Sequence, residues 1–330
     1  MGMISFCQFG AGRIGSIHAA NLAAHSDARL HTIVDTDRDA AERLAKRYGA
    51  AVGDQAKALA DPAIDAVLIA SSTDTHADLV EAAARAGKAI FCEKPLDLDR
   101  RRAKACAAVA EECRVPLMVA FNRRFDPNFA RLESELRAGR IGSPEILRIT
   151  SYDPAPPPIE FVRRSGGIFR DMLIHDFDMA CWLLAEAPME VFARGSVLVD
   201  PAIGAAGDFD TAVATLRMPS GALCQIAGTR RAVYGYDQRI EVLGEKGALF
   251  AENVVENTVV FAGADGIVSA KPEPFFLQRY AQAYRRELDH FITAVATGKP
   301  PLVGGADGIR GLALADAALE SAQTGQPVKL

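Results

Sequence analysis

Three glycines near the start of the chain have the spacing of a phosphate-binding turn. Gly10, Gly12 and Gly15 form a Gly-x-Gly-x-x-Gly pattern between a strand candidate and a helix candidate. The first glycine permits a tight turn, the second lets the backbone approach a pyrophosphate, and the third allows close packing of helix on strand. Arg13 and Ile14 fall at the start of the helix, whose unpaired N–H groups and dipole attract an anion. The spacing therefore predicts a dinucleotide site at these five residues.

An acidic residue follows at the distance that a dinucleotide site requires. Asp35 ends the second strand candidate, 20 residues after Gly15. A carboxylate there accepts hydrogen bonds from the ribose hydroxyls and repels a 2′-phosphate, which favours NAD over NADP. Arg38 lies close enough to accept that phosphate, so NADP stays an alternative. The other alternative is a plain glycine turn with a surface aspartate.

Polar side chains also follow the next two strand candidates, where ligands of parallel sheets bind. They are Ser71, Ser72, Thr73, His76, Glu93 and Lys94. We expect them to line the cofactor site. His76 could instead pack against its own loop at a helix start, and Glu93 and Lys94 could form a solvated ion pair.

Strand and helix candidates alternate through residues 1–122, which predicts parallel strands with helical crossovers in an open α/β sheet. The strands are expected at Ile4–Phe9, Leu30–Val34, Ala66–Ala70, Ala89–Cys92 and Leu117–Phe121. The helices are expected at Ile14–Ala24, Arg38–Tyr48, His76–Ala86 and Asp99–Glu112. The fold class is thus α/β.

The regular alternation of strand and helix candidates stops after residue 122, and residues 123–330 are expected to form a second α/β domain. Short β-rich segments between Val191 and Phe261 contain no long helix, which predicts a large, mainly antiparallel sheet. The prolines of Asp153–Pro158 predict a stiff loop rather than a central strand. Further helices are expected near 127–138, 171–184, 279–296 and 307–321, and a strand near 146–152. The last helix could pack back on the first domain.

Composition excludes several classes of function. The 330 residues are 49% hydrophobic and carry a net charge of −5, which gives no basic footprint for nucleic acid. No uncharged stretch reaches the length of a membrane-spanning helix. Six scattered cysteines suit neither a zinc cluster nor a disulfide scaffold, and fit a reducing cytosol. With no visible secretory signal, we expect a cytoplasmic protein.

The chain resembles the Gfo/Idh/MocA oxidoreductase family from end to end. The resemblance rests on the glycine motif with Asp35, on Glu93-Lys94-Pro95, and on the segment Gly166–Asp176. Within the family, the segments 153–158, 230–239 and 275–284 are most similar to the inositol dehydrogenases. The resemblance implies a Rossmann domain, a second domain whose open sheet supports a homo-oligomer (a dimer or tetramer), and NAD-dependent oxidation of a ring secondary alcohol. Cys181 departs from the arginine that close relatives often carry.

Matched residue by residue, the resemblance implies a catalytic trio of Lys94, Asp171 and His175. Removal of hydride from an alcohol carbon needs a base for the hydroxyl proton, and histidine suits neutral pH. Asp171 at i and His175 at i+4 would share a face of one helix, where the carboxylate fixes and stabilises the imidazole. Lys94 would donate to the same oxygen. Without the motif, Asp171 could be a helix cap, and His175 a structural residue or a metal ligand with Asp176, but no other Cys/His cluster completes a metal site.

The substrate side of the site is less specific. Arg124 and Asp153 fall where the subgroup has polyol-contacting side chains, and Tyr236, Tyr280 and Tyr284 could stack on a polyhydroxylated ring or simply pack in a core. The loop Pro154–Pro158 could shape the rim of the pocket or contact another subunit. The substrate expected from the resemblance is myo-inositol, in inositol catabolism. Alternatives are another inositol isomer, an aldose, a glycosidase that uses NAD transiently, and a non-catalytic NAD-binding sensor.

Overall fold

The computed structural model of the chain describes residues 2–330. It divides into two compact units, each described here by itself. The first comprises Met1–Asn122 with Ala283–Leu312, and the second Arg123–Gln282 with Ala313–Leu330. The sequence boundaries 1–122 and 123–330 did not include this return of a later segment to the first unit.

The first unit is built on a six-stranded parallel sheet in the order β3-β2-β1-β4-β5-β6. Its strands are β1 (Ile4–Phe9), β2 (Ala28–Val34), β3 (Ala51–Val52), β4 (Ala66–Ile69), β5 (Ala89–Cys92) and β6 (Leu117–Val119). Its first helices are α1 (Arg13–Ala24), α2 (Arg38–Tyr48), α3 (Gln55–Ala60), α4 (His76–Arg85) and α5 (Arg100–Glu112). β4 and β5 are buried at every position, as strands covered on both faces should be. The Rossmann fold expected for this part is confirmed.

The sequence predicted five of these six strands. The missing strand, β3, has two residues that pair with Thr32 and Ile33 of β2. The following helix α3 was also not predicted, although Asp54 caps it by accepting from the N–H of Lys57. Both elements are too short to show a periodic pattern, and tertiary pairing rather than propensity places them.

The second unit contains a seven-stranded sheet in the order β12-β11-β7-β10-β9-β8-β15. The strands from Arg123 to Gln282 are β7 (Pro144–Tyr152), β8 (Glu190–Ser196), β9 (Thr211–Arg217), β10 (Leu223–Thr229), β11 (Asp237–Gly244), β12 (Gly247–Ala251) and a separate hairpin of β13 (Val260–Gly263) and β14 (Gly266–Ser269). All neighbours in the large sheet are antiparallel except β7 and β10. The expected mainly antiparallel sheet is confirmed.

Burial alternates along β9 and β10 of this sheet. In β9, for example, Ala212, Ala214 and Leu216 are buried while Val213 and Thr215 are exposed. One face therefore covers the core of the unit, and the other is open in this chain.

The helices of the second unit are α6 (Pro127–Arg137), α7 (Ile159–Ser165), α8 (Gly167–Asp171), α9 (Ile174–Leu184), α10 (Pro201–Ala205) and α11 (Phe276–Arg279). The single helix predicted over 171–184 is wrong, because the chain breaks at Met172 and Leu173. Leu173 packs against Gly228 of β10, where a Cβ atom would lie 2.5 Å from its Cδ2. This tertiary contact interrupts a segment whose local pattern is helical throughout.

The chain ends with α12 (Ala281–Thr297), α13 (Gly305–Thr324) and β15 (Val328–Lys329). Phe291 of α12 packs against Phe6 and Phe91 of the first unit, with ring centroids 6.1 and 5.6 Å apart. α13 belongs to the first unit up to Leu312 and to the second from Ala313. Among residues 2–330, no helix is both long and apolar enough to cross a membrane.

Candidate functional site

The glycine-rich turn joins β1 to α1, and its glycines are sterically required. Gly10 has a φ of +102°, and a Cβ there would lie 2.4 Å from the carbonyl oxygen of Ala70. A Cβ on Gly15 would lie 2.2 Å from the carbonyl oxygen of Gly10. A Cβ on Gly12 would meet no atom within 4 Å, so the protein leaves this side of the turn open. Two glycines thus serve packing, and Gly12 gives an incoming group access to the backbone.

The start of α1 has the features of an anion site. Gly12 is the N-cap residue, and no side chain caps the helix there. No acidic residue lies in the first turn, which begins with Arg13 and Ile14. Backbone N–H groups at a helix start that no side chain satisfies suit a pyrophosphate. The turn therefore fits a dinucleotide such as NAD.

Two side chains hold the turn in place. The buried amide of Gln8 donates to the carbonyl oxygens of Gly10 and Gly15, both at 2.8 Å. Asp35, directly after β2, accepts from the N–H of Ala11 at 2.6 Å. The sequence predicted Asp35 as a ribose ligand, and it predicted neither this contact with Ala11 nor the contacts of Gln8. A polar residue inside a buried strand was the available signal for Gln8.

Arg38 does not extend from its helix as an unpaired cation. Its Nε donates to Glu42, one turn along α2, at 2.9 Å, and both side chains are exposed. Such a pair is weak, so Arg38 can still exchange partners.

The residues after β4 form a linked turn. Ser71 and Thr75 share a hydrogen bond of 2.7 Å, and Ser72 begins the short 3₁₀ segment Thr73–Thr75. His76 is buried, with Nδ1 2.8 Å from the carbonyl oxygen of Pro95 and Nε2 3.2 Å from that of Ser71. Burial lowers the pKa of His76, and the contacts with the two backbone carbonyls act in the opposite direction. His76 thus connects the turn after β4 to the turn after β5.

Glu93 and Lys94 follow β5, and both are partly buried. Oε1 of Glu93 lies 2.7 Å from Nε2 of His18 in α1. The Lys94–Pro95 peptide bond is cis. Sequence reasoning did not identify His18.

The second unit holds Asp171 and His175 on either side of the helix break. Asp171 is the last residue of α8 and His175 the second of α9, so they do not lie on one continuous helix. The N-cap residue of α9 is Leu173, so Asp171 is not its cap. Every residue from Ile174 to Cys181 is buried except His175. That exception gives the imidazole access to a ligand on an otherwise enclosed helix.

Arg230, directly after β10, is a charged partner of this segment. It is 1% exposed, and its two terminal nitrogens lie 3.5 and 3.4 Å from Oδ2 of Asp171. One of them lies 3.8 Å from Asp208. Asp208 accepts from the N–H of Ile168 at 3.0 Å, at the start of α8. Arg230 therefore balances two carboxylates, a role that the sequence did not predict.

Asp153 follows β7 and has an unusual carboxyl group. Burial raises its pKa to about 7, the Arg230 charge opposes the rise, and the Asp171 charge adds to it. Its residue is still partly exposed. A carboxyl that titrates near neutral pH can either donate or accept a hydrogen bond from a hydroxyl, which suits a polyol contact.

Arg124 lies in a buried two-bond ion pair rather than alone. Its Nε donates to Oδ2 of Asp178 at 2.8 Å, and its Nη2 donates to Oδ1 at 2.5 Å. The guanidinium also lies 5.8 Å from the centre of the Trp182 ring. This geometry fixes the guanidinium firmly.

Two of the three tyrosines belong to one cluster. The rings of Tyr236 and Tyr280 are buried and lie 6.0 Å apart at 87°. The Tyr280 hydroxyl donates to Gln238 at 3.4 Å, and burial raises its pKa to about 12. Tyr284 lies in the first unit, its ring 5.7 Å from that of His18.

A buried polar network connects this cluster to α9. Arg123 donates to Asp176 of α9 and, at 3.1 Å, to the hydroxyl of Ser151, which also bonds to Gln238 at 3.2 Å. Asp176 is therefore paired with an arginine. The sequence showed none of these contacts, since their partners lie far apart along the chain.

Two family models together match most of the chain. The family model for the oxidoreductase family with an NAD-binding Rossmann fold matches residues 4–121, and the model for its C-terminal α/β domain matches residues 134–330.

Relatives match along nearly the whole chain. An inositol 2-dehydrogenase of Rhizobium meliloti (strain 1021) is 50% identical over 96% of each chain, and a myo-inositol 2-dehydrogenase of Thermotoga maritima is 50% identical over 97% of each. The crystal structure of a myo-inositol dehydrogenase from Corynebacterium glutamicum has a TM-score of 0.94 at 42% identity, with 99% of each chain covered.

A more distant structure contains ligands. The myo-inositol dehydrogenase of Lactobacillus casei, in complex with NAD(H) and myo-inositol, has a TM-score of 0.88 at 28% identity over 99% of this chain and 97% of that one. With both domain models matched and relatives of half-identical sequence over its length, the chain belongs to the Gfo/Idh/MocA family of NAD-dependent oxidoreductases.

Proposed function

We propose that the protein oxidises myo-inositol with NAD, giving the 2-ketone and NADH. The observation that carries this proposal is the 50% identity, over 96–97% of the chain, to two proteins named for inositol 2-oxidation. The geometry supports it, because a glycine turn that fits a pyrophosphate occurs with a partly exposed histidine on a buried helix.

His175 is proposed as the general base that takes the hydroxyl proton. An alcohol carbon gives up hydride only if the proton on its oxygen also leaves, and an imidazole is suited to accept it near pH 7. Asp171 would stabilise the imidazolium electrostatically, while Arg230 keeps Asp171 in place. The hydride and the proton together account for both hydrogens lost in forming the ketone.

Lys94 is proposed to donate a hydrogen bond to the same alcohol oxygen. An ammonium stabilises negative charge as it develops on that oxygen, and removing one such donor typically slows catalysis about 10²- to 10³-fold. NAD, when bound, supplies the hydride acceptor. The glycine turn with Arg13 and Ile14 would hold its pyrophosphate, Asp35 its ribose, and residues 71–73, 76, 93 and 94 would surround it.

Four residues of the second unit are proposed to recognise the polyol. Asp153 is the strongest of them, since its carboxyl titrates near 7 and can pair with a hydroxyl in either protonation state. Arg124 is held rigidly by Asp178, which would present a fixed donor. Tyr236 and Tyr280 would form the apolar wall on which a ring packs, and the prolines of 154–158 the rim.

The test is NADH formation, followed by absorbance, over a panel of polyols. We expect myo-inositol to have the highest kcat/KM. A higher value for scyllo-inositol, chiro-inositol or an aldose would replace the substrate, and glycosidic cleavage without net NADH would replace the reaction class. In H175A, turnover should be lost while NAD affinity, measured by fluorescence titration, stays within about twofold. Equal activity in H175A would eliminate the proposed base.

We also propose that the chain forms a homo-oligomer, a dimer or a tetramer, through the open face of its larger sheet. Large apolar side chains are exposed on that sheet, including Phe250 at 61% and Val213 at 47%. Apolar area on one face of a sheet favours burial against another copy. Sedimentation should show an assembly that V213E disrupts, and a monomer at micromolar concentration would contradict this.

The cell compartment is proposed to be the cytoplasm, in inositol catabolism. Within the described residues no disulfide bond joins any of the six cysteines, and five of them are buried. Reduced thiols suit a reducing compartment. Fractionation of cells that produce the tagged protein would test this.

A further inference from the structure

Three ionisable side chains meet inside the first unit, apart from the proposed proton-transfer residues. They are His18 of α1, Glu93 directly after β5, and Glu287 of α12. One ligand-type atom from each lies within 4.8 Å of the other two. His18 and Glu287 have no exposed surface, and the Glu93 side chain is 13% exposed. The cluster thus connects the glycine-turn helix to the residue that precedes Lys94.

The surroundings of the cluster are aromatic. The His18 ring has edge contacts with Phe91, at 5.1 Å, and with Tyr284, at 5.7 Å. The titratable groups that face Glu287 are Glu93 from the end of β5 and His18 from α1, with Tyr284 one turn earlier on its own helix. No lysine or arginine offers Glu287 an ion pair within the described residues. Burying an ionised carboxylate without an ion-pair partner costs folding free energy, because the charge loses its hydration.

The hydrogen bonds show where the protons lie. Nε2 of His18 is 2.7 Å from Oε1 of Glu93, so this nitrogen donates to the carboxylate. Nδ1 of His18 has no partner among the described residues, and a second N–H there would be buried and unsatisfied. Within the described residues, the His18 ring thus has one hydrogen bond, to Glu93. Both carboxyl oxygens of Glu287 also lack a hydrogen-bond partner in the described protein.

Burial and the charge of Glu93 together raise the pKa of Glu287 well above its ordinary value. A divalent metal is the other way to balance two carboxylates, but the His18–Glu93 distance does not suit one. Two ligands at about 2.1 Å from a tetrahedral zinc ion lie roughly 3.4 Å apart. The 2.7 Å separation is that of a hydrogen bond.

We propose that Glu287 is a permanently protonated carboxylic acid at neutral pH. By staying uncharged beside Glu93, it leaves Glu93 ionised and bonded to His18, and that bond positions the next residue, Lys94. Glu287 is a positioning residue in this proposal, because it acts on Lys94 only through Glu93. The part that concerns Lys94 rests on the proposed function, whereas the protonation of Glu287 does not.

The protonation is tested by the pH dependence of unfolding, without substrate or cofactor. If Glu287 keeps its proton in the folded protein, the free energy of unfolding falls as pH rises above the pKa of an unfolded glutamate, about 4.3. Relative to E287Q, which has nothing to titrate, the unfolding constant of the wild type should rise about tenfold per pH unit from pH 5.5 to 7.5. E111Q, at an exposed glutamate of the same unit, is the matched control and should give a ratio that does not change with pH.

A spectroscopic measurement locates the proton. The infrared C=O stretch of the protonated Glu287 carboxyl should be lost in E287Q at pH 7, and should therefore appear as a band in the wild-type-minus-E287Q difference spectrum. The positioning role is tested by rescue. E287A should lower kcat at least tenfold with little change in the KM for NAD, and E287Q, which keeps the shape and the neutral charge, should restore most of the loss.

Each arm has an outcome that overturns the proposal. A wild-type to E287Q unfolding ratio that is flat with pH would mean that Glu287 is ionised in the folded protein. Chelator treatment that destabilises the wild type but not E287Q would mean that a metal ion balances the cluster. Failure of E287Q to rescue E287A would remove the positioning role. Because the unfolding arm needs no turnover, it separates this proposal from the assignment of inositol as substrate.

Discussion

Replacing Arg230 by methionine should destabilise the second unit in a pH-dependent way. Arg230 is almost fully buried and lies 3.4 Å from Asp171 and 3.8 Å from Asp208. At an effective dielectric constant of about 20, an ion pair at 3.4 Å interacts by about 5 kcal/mol, and removing one partner of a buried pair typically costs about 3–5 kcal/mol. We therefore expect the free energy of unfolding of R230M to fall by about 3–5 kcal/mol at pH 8.

The sign of the pH effect follows from the neighbouring carboxyls. The pKa values of Asp153 and Asp208 are already raised by burial, and the Arg230 charge opposes both rises. Without Arg230 they rise further above the unfolded value of about 3.9. A group whose pKa is higher in the folded protein than in the unfolded chain stabilises the fold fully at pH values below its unfolded-state pKa. This stabilisation is lost as pH rises through its folded-state pKa. The penalty in R230M should thus be about 2 kcal/mol smaller at pH 5 than at pH 8.

Urea unfolding of the wild type and R230M at the two pH values measures this difference. The double variant R230M/D171N should recover part of the loss at pH 8, because it removes one of the carboxylate charges that Arg230 balances. An equal penalty at both pH values, or no recovery in the double variant, would refute the argument that Arg230 acts by balancing carboxylates. Those outcomes are expected if R230M loses stability only because methionine packs less well than arginine.

Three other substitutions test separate parts of the structure. D35A should raise the NADP-to-NAD ratio of kcat/KM at least about tenfold, since it removes the carboxylate that repels a 2′-phosphate. The control R38A breaks only an exposed pair with Glu42 and should not raise this ratio. An unchanged ratio in D35A would disprove the ribose assignment. K94A should lower kcat about 10²- to 10³-fold while NAD binding persists. Steady-state kinetics measures kcat, and fluorescence titration measures NAD binding. A smaller loss of kcat would mean that Lys94 is only structural. D210N should cost about 2–3 kcal/mol at pH 7, because Asp210 accepts from the N–H groups of Leu198, Val199 and Asp200. Burial opposes these bonds, but the bonds prevail and lower the pKa of Asp210. The difference in unfolding free energy between D210N and the wild type should therefore shrink as pH falls through that pKa. A difference that stays constant with pH would count against the charge-assisted bonds.

The sequence by itself determined the elements with strong local signals. The parallel strands, the glycine turn and Asp35 could all be located, because each rests on a short-range pattern: an apolar run, a glycine spacing, or an acidic residue at a strand end. The antiparallel character of the second sheet was readable from turns without long helices.

Tertiary structure alone decided the rest. The helix break before His175 exists because Leu173 packs onto Gly228, 55 residues further along the chain. Arg230, Gln8 and His18 acquire their roles from partners brought close by folding, and α12 contributes Glu287 to a unit that otherwise ends at Asn122. Local patterns record which face of an element is apolar, whereas the identity of a buried charge's partner depends on packing between segments that no local pattern connects.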